Sequence, residues 1–158
     1  VLLGWVAYHN KEGIGRQIVK ELRIIVAGSR DFKNYRLLSD TIMEYLGSMD
    51  DTDLINSPSQ VKFISGNAKG ADVLGEQFAY TWGYDVVRFP ADWDGLGKRA
   101  GYVRNDEMAK YSMADGNYGV LIAFWDGKSK GTRHMIDLAK KNGLEVHVVR
   151  FDNAEIGK

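Results

Sequence analysis

Residues 120–135 read VLIAFWDGKSKGTRHM. In the loop Asp126-Gly127-Lys128-Ser129-Lys130-Gly131-Thr132, two glycines let backbone N–H groups approach a ligand closely. Ser129 or Thr132 can cap a following helix, and Lys128 and Lys130 supply positive charge. A buried strand, a glycine-rich cationic loop and a helix N-terminus in that order can hold an anion. The unpaired amides and the helix dipole both point at the loop. A surface turn has a similar composition, so the loop alone is weak evidence.

Two more stretches repeat the pattern. Gly28-Ser29-Arg30 follows the apolar run LRIIVA, and Gly66-Asn67-Ala68-Lys69-Gly70-Ala71-Asp72 follows VKFIS. Asp72 suits a ribose hydroxyl or simply the first turn of a helix. In the segment YVRNDEM, Arg104 can clamp a phosphate bidentately and Asn105 can read a sugar or base edge. The bland alternative is a solvated helix face with Glu107 and Lys110 as partners. Trp93 and Trp125 can stack on a base or fill a core. His134 reads as a helix-surface residue, and it shares no metal spacing with His9 or His147, so no metal is expected.

The elements that must position these residues follow from the hydrophobic pattern. Buried strands are predicted over 22–27, 61–65, 85–89, 120–124 and 145–151. Helical spacing covers 35–46, 71–82, 102–112 and 133–142, with a polar surface loop over 47–60 and a long loop over 91–101 of the kind that often carries function. Strands alternating with helices imply an α/β fold, a Rossmann-like doubly wound parallel sheet in a single domain over 22–151. In such sheets ligands bind beyond the carboxyl ends of the strands, where all three glycine-rich exits fall. Residues 1–21 read as an extension, with a strand over 2–8, a short helix over 15–20, or an arm for self-association. Residues 152–158 read as a frayed tail.

Bulk composition narrows the function classes. Lys plus Arg and Asp plus Glu are 21 each, and this zero net charge disfavours a nucleic-acid or anionic-membrane coat. The absence of cysteine excludes disulfides, thiolate metal sites and cysteine nucleophiles, and fits the cytoplasm. No apolar run approaches a membrane span, and the N-terminal segment does not read as a signal peptide.

The motifs GSRDF (28–32), SGNAKGAD (65–72), FPADW (89–93), GKRAGYVRNDEM (97–108) and AFWDGKSKGTRHM (123–135) resemble those of the YspA-type, cpYpsA-related branch of the SLOG superfamily. The resemblance spans residues 22–150. It implies a Rossmann-like domain that binds nucleotides or nucleotide-derived signals such as ADP-ribose-type molecules, without a further cofactor, and that forms homo-oligomers. The implied ligand contacts are Gly28, Ser29, Arg30, Gly66, Lys69, Gly70, Ala71, Asp72, Arg104, Asn105, Trp125, Asp126, Gly127, Lys128, Ser129, Gly131 and Thr132.

More distant relatives include the LOG phosphoribohydrolases and the DNA-processing protein DprA. The LOG enzymes pair an arginine with a glutamate just after a PGGxGT loop. Arg104 stands where that arginine is expected, but no carboxylate follows Thr132. N-glycosidic hydrolysis then requires Glu107 or Asp72 as the partner of Arg104. A DprA-like single-stranded DNA binder or adaptor is the third alternative, which the neutral charge disfavours.

Overall fold

The computed structural model describes residues 20–50, 55 and 57–152. The expectations for 1–19 and for 153–158 lie outside these residues. Five strands, β1 (Leu22–Gly28), β2 (Val61–Ser65), β3 (Asp85–Arg88), β4 (Tyr118–Trp125) and β5 (Glu145–Arg150), form one sheet in the order β3-β2-β1-β4-β5. Every pairing is parallel, so the α/β Rossmann-like expectation holds.

The central strands are buried on both faces, which is why they read as unbroken apolar runs. Leu22, Ile24 and Val26 face one core layer, while Ile25 and Ala27 face the other. The first layer is closed by α1 (Tyr35–Asp50), through Leu38, Ile42, Tyr45 and Met49, and by α2 (Ala71–Trp82), through Phe78 and Ala79. The second is closed by α4 (Ala100–Met113), through Met108 and Ala109, and by α5 (Lys130–Lys141), through Met135, Ile136 and Ala139. A short helix, α3 (Trp93–Leu96), precedes α4. Each large apolar side chain buried here stabilises the fold by about 1.5–3 kcal/mol.

Three boundaries depart from the pattern-based expectation. Helix α1 runs through Gly47 to Asp50, because Met49 continues the buried stripe of Leu38, Ile42 and Tyr45. Burying Met49 outweighs the roughly 1 kcal/mol cost of an exposed helical glycine. The expected loop over 91–101 contains α3 and a 3₁₀ turn over Gly97–Arg99, with α4 starting at the buried Ala100. The Asp92 carboxylate accepts from the Gly95 amide at 2.9 Å and starts α3. Helix α5 starts three residues earlier than expected, because Ser129 is its N-cap and the Arg133 amide already bonds the Ser129 carbonyl at 3.1 Å.

Strands β1 and β4 are neighbours although α1, β2, α2, β3, α3 and α4 separate them in the chain. The chain reverses its direction of travel across the sheet between them. Their carboxyl ends diverge into loops that cross to opposite faces and leave a crevice.

Candidate functional site

The crevice is occupied by a cavity of about 220 Å³. Its walls come from five places: Gly28 and Arg30 at the end of β1, Ala68 and Asp72 after β2, Trp93 and Lys98 before α4, Gly101, Tyr102, Arg104 and Asn105 on α4, and Ser129, Gly131 and Thr132 at the start of α5. Met108, Met135 and Ala27 make its apolar floor. A second hollow of about 390 Å³ shares Arg30, Ala68, Trp93 and Arg104 with the first and extends along Gly66, Asn67 and Lys69. The two form one cleft, with both arginines at the junction.

Close backbone approach builds this crevice. The Ser29 amide donates to the Phe124 carbonyl at 3.0 Å, and the Asp126 amide donates to Ser29 Oγ at 3.3 Å. The exits of β1 and β4 are thereby tied together. A Cβ at Gly28 would strike the Phe124 carbonyl oxygen and lie 2.8 Å from Ala71 Cβ. Ala71 itself is fully buried at the start of α2, beside Gly70, whose backbone packs against Ser29 and Arg30.

Arg104 is the pivot of the cleft. One guanidinium nitrogen, Nη1, donates to the Gly66 carbonyl, and Nε donates to Asn105 Oδ1 at 3.1 Å. Gly66 sits between Arg104 and Asp72. A Cβ there would lie 2.6 Å from Arg104 Nη1 and 2.7 Å from Asp72 Oδ2. Burial pulls the Arg104 guanidinium below its usual range; Asp72 opposes that and nearby Arg30 adds to it. Asp72 accepts the Ala68 amide at 3.3 Å. Burial pushes its carboxyl up to about 7, against the pull of Arg104. Among the described residues, no ion pair holds Arg30, Lys69, Lys98 or Arg104, and the buried Asp72 is the carboxyl whose charge acts on Arg104.

Asn105 is buried and its amide is occupied. It accepts from Arg104, and its Nδ2 lies 3.4 Å from the Gly131 carbonyl and 3.3 Å from His134 Nδ1. It therefore braces α4 against the start of α5. Burial lowers the His134 pKa, with Asp137 and Asp106 opposing.

The loop after β4 is more self-satisfied than its composition suggests. The Asp126 carboxylate accepts from the Lys128 and Ser129 amides, both at 2.8 Å, and these bonds hold it ionised. Ser129 Oγ accepts from the Thr132 amide at 3.4 Å. The Lys130 and Gly131 amides remain at the open end of α5, and Gly131 lines the cavity.

Gly28, Arg30, Asp72, Arg104, Asn105, Ser129, Gly131 and Thr132 thus line one cavity, and Gly66 and Lys69 line the hollow joined to it. Trp125, Asp126, Gly127 and Lys128 line neither. Trp125 donates its indole N–H to the Ser129 carbonyl at 3.0 Å and holds the loop in shape. Glu107 is exposed on α4, outside both cavities. Lys98 and Tyr102 line the cavity although the loop patterns do not single them out. Tyr102 was open to a spacing argument: Gly101, Arg104, Asn105 and Met108 recur at helical intervals, so α4 presents one continuous wall.

Comparison with known proteins supplies the lineage. The gene 61 protein of Mycobacterium phage D29 is 34% identical over 131 residues, covering 78% of this chain and 93% of the phage protein. No solved structure matches the chain significantly. The model of the YspA, cpYpsA-related SLOG family matches residues 22–95, the stretch from β1 through α3. The sheet order, the glycine-rich strand exits and these matches agree, and the chain belongs to the YspA, cpYpsA-related SLOG family.

Proposed function

We propose that the cleft binds a nucleotide or a nucleotide-derived signal, with an ADP-ribose-type molecule as the model ligand. Its phosphates rest on the start of α5 and are met by Arg30 and Arg104. The observation that carries this reading is the meeting of Arg30 and Arg104 with an open helix N-terminus in one cavity at the β1/β4 crevice. An arginine held by backbone and amide oxygens is pre-oriented for a phosphate oxygen, at little further entropic cost.

Titration calorimetry against AMP, ADP and ADP-ribose tests the reading. Saturable binding is expected, and Arg104→Ala weakens it roughly tenfold or more, the loss of one charge-assisted contact. Absence of binding, or unchanged affinity in an Arg104→Ala, Gly131→Val double variant, removes the reading.

A second reading, N-glycosidic hydrolysis of nucleoside monophosphates, draws support from Asp72. Its carboxyl, pushed up to about 7, lines the same cavity beside Arg104. Release of free base from nucleoside monophosphates, abolished by Asp72→Asn, is the expected sign. Binding without base release leaves the first reading alone.

A further inference from the structure

We propose that Trp93 is the platform on which the ligand's heterocycle stacks, so that the cleft selects molecules carrying an aromatic base over bare sugar phosphates. This rests on the nucleotide-binding reading above and assigns the base its place within it.

Trp93 opens α3, a single turn held by the Asp92 cap, and it lines both cavities of the cleft. It is 49% exposed. A half-exposed indole beside a cavity leaves apolar ring surface in water that a flat partner can cover. The Arg30 guanidinium lies 5.9 Å from the ring centroid, so the indole is tied to one of the two arginines assigned to phosphate. Its edge rests on α4 at Gly101, where a Cβ would stand 3.3 Å from Trp93 Cη2. The absence of a side chain at Gly101 lets the ring sit this low over the cavity.

The other described tryptophans are placed differently. Trp125 is bonded to the Ser129 carbonyl, with Arg150 5.2 Å from its ring, and lines neither cavity. Trp82 packs on Phe78 at the C-terminal end of α2. Tyr102, the other exposed aromatic at the cavity, turns its ring edge-on to His134 at 4.5 Å. Trp93 therefore joins three properties at one point: a half-exposed aromatic surface, contact with both hollows, and proximity to a phosphate-binding cation.

The test is calorimetric titration of the full chain and its Trp93→Ala and Trp93→Phe variants with AMP and with ribose 5-phosphate, which lacks the base. Trp93→Ala is expected to weaken AMP roughly tenfold or more while leaving ribose 5-phosphate within about twofold. Trp93→Phe should restore most of the AMP affinity. Unchanged AMP affinity in Trp93→Ala, or an equal loss for both probes, overturns the proposal. If Trp93→Ala loses its folded circular dichroism spectrum, Trp93→Phe against Trp93→Leu carries the comparison. Weaker AMP binding by the leucine variant supports stacking, and equal binding refutes it. A wild-type chain that binds neither probe instead overturns the nucleotide-binding reading itself.

Discussion

Replacing Asp72 by asparagine should change how stability depends on pH. Asp72 is buried at the start of α2, and its carboxyl is pushed from an ordinary 3.8 up to about 7. A carboxyl whose folded pKa lies above its unfolded value binds a proton more tightly when folded. Stability from this group is therefore fully present below pH 4 and is lost as pH rises towards and through 7. The difference between the two values corresponds to about 4 kcal/mol, of which roughly 3 kcal/mol falls between pH 5 and pH 8. Asparagine keeps the shape and can still accept from the Ala68 amide, but it does not titrate.

The assay is urea unfolding of both proteins at pH 5, 6, 7 and 8. Other titrating groups cancel in the difference. The variant should gain on the wild type by up to that 3 kcal/mol across the range. A difference that stays flat would mean that Asp72 is ionised throughout and that attraction to Arg104 outweighs burial. An anionic ligand favours the protonated carboxyl, so wild-type affinity should also fall as pH rises through 7, and the variant's should not.

Gly66→Ala should abolish or sharply weaken ligand binding while the fold survives, because the new methyl displaces the Arg104 head and the Asp72 carboxylate rather than backbone; calorimetry beside a circular dichroism melt separates the two effects. Gly28→Ala places its methyl against the Phe124 carbonyl and Ala71 Cβ at the junction of β1 and β4. The melting temperature should fall by an amount equivalent to about 1–3 kcal/mol, and an unchanged melt would show that the two strand exits separate freely.

The parallel sheet was legible because β1 and β4 are buried on both faces, and double burial demands continuous apolar runs such as LRIIVA and VLIAF. The glycine-rich exits were legible as well, since close approach of backbone to backbone leaves glycine at Gly28 and Gly70. Less legible was what each polar group does once the loops are packed. Asp126 reads as one more loop residue, yet its carboxylate takes two of the amides that composition offers to a ligand. Trp125 reads as a stacking candidate and serves as a brace. Asn105 reads as a base reader and ties α4 to α5.

Local pattern alone determined that strands and helices alternate, that their exits carry glycine and positive charge, and that Ala71 begins a helix ending at Trp82. Those features depend on side-chain periodicity and backbone sterics, which act over a few residues. Tertiary structure decided that Arg30 and Arg104, 74 positions apart in the chain, share one cavity, while Lys128, nearer to Arg104 in sequence, lies outside it. It also decided the ionisation of Asp72. Desolvation and charge pairing depend on distances across the folded interior, and no spacing along the chain encodes them.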